Sequence, residues 1–363
     1  MIHMEKLRIK TILFASAMLL APLGAGAQTE VSEYVPGVTP EGITYFLPKT
    51  ELRIRVTATC VKYTPGDFRP YAERYLRLSD IPKEASSKWN INDVKIYAVG
   101  IPDEAKAFSV KLNPKTPAPL VSLTKAGVLM SINAQTKEPE AIPAAPKPVV
   151  KDESLNSRDY MTQEILAAGS VAKQAELTAA EIYDIRESRS ALVKGEADNM
   201  PKDGEQLKLM ISNLDTQERA LLQLFKGTEK VETRTFDYVY VPSEDKEEVL
   251  FRFSSKLGPV DADDLAGEPV YISIKDKHTV AAPAPAPEKK KKEIEDVRYN
   301  VPSQVDVAVS FGGKSLAAAT FPMGQFGNVE HLGAELFNKK MDTQVFLNPV
   351  TGGIDKLTLP EPK

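Results

Sequence analysis

The sequence predicts an α+β protein in which two antiparallel β-rich, sandwich-like parts are separated by a long antiparallel α-helical hairpin. Three observations carry this. Residues 28–136 and 231–363 hold short runs rich in β-branched and aromatic residues, bounded by Pro, Gly or Asn. Residues 152–230 switch to apolar spacings of three and four, the period of a helix face. Two segments, 137–151 ("KEPEAIPAAPKPVVK") and 281–296 ("AAPAPAPEKKKKEIED"), are proline, alanine and charge, which cannot bury a core and read as extended solvated connectors.

The chain opens with "MEKLRIK" and the apolar run "TILFASAMLLAPLGAGA", a positive n-region, a short apolar stretch and a small-residue exit at Ala25-Gly26-Ala27. That is the layout of a cleaved secretory signal over residues 1–27, with Met4 a second candidate initiator and Gln28 the first mature residue. Pro22, Gly24 and Gly26 interrupt the run before it reaches the roughly 18 apolar residues of a membrane span. We therefore expect an extracytoplasmic protein with no transmembrane segment after signal removal, periplasmic rather than surface-bound because no C-terminal sorting motif is recognisable.

In 28–136 the strand signals are "LRIRVTATCV", "DVKIYAVGI", "FSVKL" and "GVLMSINA". Leu52, Ile54, Val56, Ala58 and Cys60 alternate with Arg53, Arg55, Thr57 and Thr59, which puts Cys60, the single cysteine, at the end of an apolar face. One cysteine forms no disulfide within its chain, and mid-strand among aliphatics it has no neighbour to lower its pKa, so it reads as core. Next comes "YTPGDFRPYAERYLRL", which gathers Phe68, Arg69, Tyr71, Arg74 and Tyr75. Aromatic rings beside guanidinium groups make interface hot spots or sugar-stacking platforms, and also ordinary half-buried packing. These five are the candidate interaction surface.

In 152–230, Met161, Ile165, Ala168, Ala172, Ala175, Ala179 and Ile182 form a seam that Gly195 closes. After a turn-like segment, Asp203 and Gln206 have capping spacing, and Leu207, Met210, Ile211, Leu214, Leu221, Leu224 and Phe225 make a second stripe ending at Gly227. The short loop implies an antiparallel hairpin, which offers a route to oligomers. From 231 onward "TFDYVYV" and "VLFRFSSKLG" predict a β-hairpin, followed by "PVYISIKD", "QVDVAVSFGGKSLAAATF" and "TQVFLNPVTGGIDKLTL".

Chemistry is sparse. A net charge of −4 over 363 residues gives no domain-wide excess of base, which argues against nucleic acid as a partner. "FGGKS" lacks the upstream glycine and the strand-loop-helix context of a phosphate loop and reads as a glycine hairpin. Asp261, Asp263, Asp264 and Glu268 in "DADDLAGE" supply the oxygen ligands calcium prefers, although not at calcium-loop spacing, and aspartates also make turns by themselves. They are the candidate metal residues. Calcium is the one cofactor considered. No Cys-His pair, zinc set or paired acid stands out in the sequence.

Three stretches, "TYFLPKTELRIRVTATCVKYTPGDFRPYAERYL", "GPVDADDLAGEPVYISI" and "FGNVEHLGAELFNKKMDTQVFLNPVTGGI", resemble a family of exported proteins of unknown function found in Bacteroidetes. The resemblance spans most of the mature chain. It implies an envelope or secreted location and an uncharacterised role, and it transfers no catalytic residue. The sequence thus points first to a non-enzymatic binding or scaffolding module with an envelope protein or glycan as partner. The alternatives are an extracytoplasmic hydrolase whose carboxylates meet only in the fold, and a calcium-stabilised module.

Overall fold

The structure, a computed structural model, describes residues 30–33, 43–111, 121–201, 203–281, 297–333 and 343–359. The signal segment and most of the second Pro/Ala segment lie outside the described residues. The chain is α+β with mostly antiparallel sheets. Its strands are β1 (Glu30–Glu33), β2 (Ile43–Thr64), β3 (Ser86–Lys111), β4 (Val121–Leu123), β5 (Leu129–Ile132), β6 (Val149–Asp152), β7 (Thr228–Tyr240) and β8 (Lys246–Ser254), then β9 (Gly258–Val260), β10 (Glu268–Asp276), β11 (Val297–Phe311), β12 (Lys314–Leu332), β13 (Gln344–Leu347) and β14 (Ile354–Thr358). Its helices are α1 (Ala72–Leu76), α2 (Gln163–Ala167), α3 (Val171–Lys194) and α4 (Gly204–Lys226).

Among the described residues three sheets form, in the orders β1-β3-β2-β7-β6, β12-β11-β10-β8-β9 and β14-β13-β5-β4. The alternation read in β2 is what joins the first two. Leu52, Ile54, Val56, Ala58 and Cys60 are fully buried and share one core with Phe251, Phe253, Val270, Ile272, Ile274, Val305, Val307, Val309 and Met323 of the second sheet. Burying each of the Val, Leu, Ile, Phe and Met side chains among them contributes about 1.5–3 kcal/mol. Cys60 is interior, with Sγ 3.2 Å from the Ser87 hydroxyl.

The expected hairpin of "TFDYVYV" with "VLFRFSSKLG" does not form. β7 pairs with β2 from Leu52↔Tyr240 to Thr64↔Thr228, whereas β8 pairs with β10 and β9 in the other sheet. The polar turn after Tyr240 carries the chain across the core instead of along one sheet. Both strands have an aromatic inward face, and those faces meet: Tyr238 stacks on Phe251 with ring centroids 4.4 Å apart. By contrast "FGGKS" does make a hairpin, with Phe311 opposite Lys314 and positive φ at Gly312 and Gly313.

A second, smaller core gathers Tyr45, Leu47, Leu129, Ile132, Val297, Val345 and Leu347. β2 and β11 run through both cores. Each changes register where proline interrupts the ladder, between Phe46 and Pro48 in β2 and between Val301 and Ser303 around Pro302 in β11. The loop after β13 fills this junction. Asn300 of β11, opposite Val329 of β12, reaches into it: its N–H donates to Gly352 O (3.0 Å) and its Nδ2 to Pro48 O (2.9 Å) and Thr351 O (2.8 Å). Gly352 has φ 75°, and a Cβ on it would sit 2.6 Å from Asn300 Nδ2, so both backbone conformation and space require glycine.

The helical seam is interrupted. Met161 and Ala168 have extended backbones, and separate caps start α2 and α3: Thr162 Oγ1 accepts from Ile165 N, and Ser170 Oγ from Lys173 N. These hydroxyls, with Gly169 between the two helices, offer the backbone local bonds that compete with a continuous helix. From Ala175 the seam is as read: Ala175, Ala179 and Ile182 pack with Ile185, Leu221 and Phe225, and Gly195 ends α3 in a left-handed conformation. Asp203 caps α4 by accepting from Gln206 N (2.7 Å). Glu218 is buried beneath Arg186 (2.6 Å) and Arg189 (2.7 Å), and Arg189 also meets Asp215 (2.6 Å). Of the α4 stripe, Leu221 and Phe225 are buried, whereas Leu207, Met210, Ile211, Leu214 and Leu224 are half-buried.

The first Pro/Ala segment is exposed yet pinned. Lys125 N–H donates to the Glu138 carboxylate (2.5 Å), Arg55 Nη1 to Pro143 O (2.7 Å), and Val149–Asp152 then pairs with β7 as a sheet edge.

Candidate binding groove

The connection between β2 and β3 builds a surface groove against the first sheet. Phe68 turns inward, where its N–H donates to Leu224 O (2.7 Å) and its ring meets Phe225 edge-on at 5.5 Å. A helical turn over Arg69–Tyr71 and α1 follow, ended by Arg77 at φ 56°, and Asp80 adopts φ 62°. Left-handed backbone costs a residue with a Cβ about 1–2 kcal/mol, and such strain clusters at ligand clamps and active sites. Two instances within four residues single out this loop.

Fixed bonds hold the strained loop. Arg69 donates from Nε and Nη2 to Ile81 O (3.3 and 3.1 Å). The Tyr63 hydroxyl lies 3.0 Å from Lys226 O and 3.3 Å from Pro82 O. Burial pushes the Tyr63 phenol pKa up, Arg69 pulls it down, and the nearby Glu229 charge raises it further. The loop stands off the outer face of the first sheet and leaves a groove of about 520 Å³. Leu78, Asp80 and Ile81 line one side, and Val61, Lys88 and Asn90 the strand side, with Lys226 and Glu229 at the end of α4 and start of β7. Lys88 and Asn90 face outward because Cys60 and its partner Trp89 face the core. Among the described residues no carboxylate lies within ion-pair distance of Lys88 or Lys226.

The five residues of the predicted interaction surface thus separate. Phe68 is core and Arg69 is a loop clamp. Tyr71 and Tyr75 stack with centroids 6.2 Å apart, Arg74 lies over Tyr75 at 5.3 Å, and Tyr183 of α3 donates to Tyr75 O (3.1 Å). The groove residues Lys88, Asn90 and Asp80 were not singled out by the sequence. A sequence signal that could have found them is "LRLSDIP", a polar turn closed by proline shortly before β3.

Asp261, Asp263 and Asp264 lie exposed in the turn before β10, and Glu268 is exposed as the first residue of that strand. Asp264 Oδ1 accepts from Ala266 N (2.9 Å), and Arg252 donates to Ala262 O (2.9 Å) and Gly267 O (3.2 Å). Among the described residues no group of three or more His, Cys, Asp or Glu is gathered as for a metal ion.

One polar cluster mimics a catalytic triad in composition. Ser303 Oγ donates to Asp276 Oδ1 (2.5 Å) and His278 Nδ1 lies 3.0 Å from Asp276 Oδ2. The carboxylate stands between hydroxyl and imidazole, so the imidazole does not face the hydroxyl, the reverse of the triad order. Burial raises the Asp276 pKa, but bonds from Ser303 and His278 N–H and the imidazole charge outweigh it, and the net shift is downward. Asp152, Glu232, Asp237, Glu248 and Asp306 are likewise held below the usual carboxylate range, each first by a hydrogen bond from a neighbouring side chain. A general acid at neutral pH needs the opposite shift.

A family model described as "Domain of unknown function (DUF4831)" matches residues 41–355. The chain belongs to this family. No curated protein and no solved structure matches it. The match takes in every residue lining the groove, both cores and the Asn300 junction, so all of these are parts of the DUF4831 domain.

Proposed function

We propose that this DUF4831 protein is an exported, non-enzymatic binding module in which two stacked antiparallel sheets and an antiparallel helical pair hold a groove for an extended peptide segment of an envelope partner. The observation that carries the reading is the pair of strained residues, Arg77 and Asp80, on a loop clamped over a groove whose lysines have no carboxylate partner among the described residues. Strain retained at a surface site is compensated by the surrounding fold and gives a ligand a preformed wall. Leu78, Ile81 and Val61 offer apolar notches, while Lys88 and Asn90 offer charge and hydrogen bonds, the combination that reads a peptide's side chains. Among the described lining residues the aromatic ring is Tyr63, buried and engaged in holding the loop, which favours peptide over glycan. The lowered pKa of carboxylates such as Asp276, Glu232 and Asp237 favours binding over hydrolysis.

The test is crosslinking in intact cells followed by affinity purification of the tagged chain, comparing wild type with Lys88→Glu and Asn90→Ala. One reproducible partner, recovered at least tenfold less with Lys88→Glu at unchanged melting temperature, supports the reading. A partner retained equally by both variants, or recovery of the chain alone, sinks it.

A further inference from the structure

We propose that the 314–321 edge of β12 pairs antiparallel with the same edge of a second copy of this chain, about a twofold axis at Ala318. The second sheet ends on β12, and the strand's other side has no strand partner among the described residues. The strands that end the sheets besides β12, namely β1, β6, β4, β14 and β9, have five residues or fewer, whereas β12 has 19; β3, which β1 covers only at Phe108–Lys111 among the described residues, carries Pro102 and charges such as Lys95, Asp103 and Lys106 along the rest of its length. Short edges are one of the means by which proteins avoid strand addition; charge, proline and covering elements are others.

The lower half of β12 uses those means. Pro322 interrupts it, and beyond it Gln325 donates to Thr50 O (2.8 Å) and accepts from Thr50 N (2.9 Å), which ties that half to β2. The upper half, "KSLAAATF", has no proline and, among the described residues, no strand on its outer side, and its single charge is Lys314 at the far end. Leu316, Ala317 and Phe321 there are only half-buried although they border the main core. A strand is the chemistry that satisfies a row of free N–H and C=O groups while covering such side chains.

Charge and size select the same strand of another copy. Antiparallel pairing about Ala318 sets Ala317 opposite Ala319, small enough for close approach, and separates the two Lys314 side chains by roughly 27 Å at 3.4 Å per residue. Parallel pairing would set them side by side. Because the opposite edge of this sheet is only three residues long, the contact is isologous and closes at two copies.

The test is the mass of the purified full chain by light scattering at concentrations on the order of 10–100 μM, with three variants. Successive N–H groups of an edge strand point alternately into and out of the sheet, so one of Ala318→Pro and Ala319→Pro removes only an outward donor and keeps the wild-type melting transition. Wild type is expected at twice the monomer mass, and that folded proline variant at monomer mass, with at least tenfold weaker association. Ala318→Cys is expected to crosslink to its own copy under copper-phenanthroline oxidation, whereas Ala308→Cys, one strand inward, is not; the native Cys60 is buried. A monomeric wild type, a dimer that persists in the folded proline variant, or failure to crosslink at 318 overturns the proposal.

Discussion

Tyr238 and Phe251 stack nearly parallel, 7° between ring planes and 4.4 Å between centroids, although their strands belong to different sheets. The pair pins the crossing of the chain from β7 to β8. Phe251 is fully buried, so Phe251→Ala should cost about 3–5 kcal/mol of unfolding free energy in a urea titration. Tyr238→Ala should cost less because that ring is half-buried, and a double-mutant cycle should return a coupling of about 0.5–1.5 kcal/mol. A coupling near zero would mean that the stacking adds nothing beyond area burial.

Asn300 ties β11 to Pro48 and to the loop after β13. Asn300→Ala leaves the carbonyls of Pro48 and Thr351 without those donors, which should destabilise the chain by on the order of 3 kcal/mol. Hydrogen exchange should speed up first at Val350–Gly353, before the main core, since the lost bonds anchor that loop. Uniform acceleration across both cores would contradict this placement.

Arg77 and Asp80 occupy left-handed backbone that glycine adopts without penalty. Arg77→Gly should therefore raise stability by about 0.5–1 kcal/mol, after the greater entropy of the unfolded glycine is set against the relieved strain. If the loop is a preformed wall, the same variant should capture less partner in the crosslinking experiment. Increased stability with undiminished capture would separate the strain from binding.

Asp276 has a lower pKa in the folded chain than its ordinary value of 3.8. The folded state then binds this proton less readily than the unfolded state, so the carboxylate stabilises the fold above about pH 4, and this contribution is lost as pH falls through the lower native pKa. Asp276→Asn should be less stable than wild type at pH 6, with the gap narrowing below about pH 4. Denaturant midpoints measured across that range check it. A gap independent of pH would assign the effect to the lost Ser303 and His278 bonds alone.

Local rules account for much of this molecule. The alternation of Leu52 to Cys60 follows from the two-residue period of a strand, and the closures at Gly195 and Gly312-Gly313 follow from the freedom of glycine at positive φ. The cap at Asp203 follows from a carboxylate three residues before an otherwise unpaired N–H. Each depends on neighbours in sequence, so the sequence by itself determined them. It also determined that Cys60 is interior.

Tertiary structure decided what depends on distant partners. β7 follows β2 rather than β8, because two strands with equally apolar faces gain more by facing each other across a core than by pairing side by side. Phe68 left the predicted surface because Phe225, more than 150 residues away, supplied a partner for its ring. Lys88 and Asn90 became groove residues only when a strained loop was clamped above them by Tyr63 and Arg69. Hydrophobic burial is non-directional, so composition fixes which residues leave water, and only the three-dimensional packing fixes which of them meet.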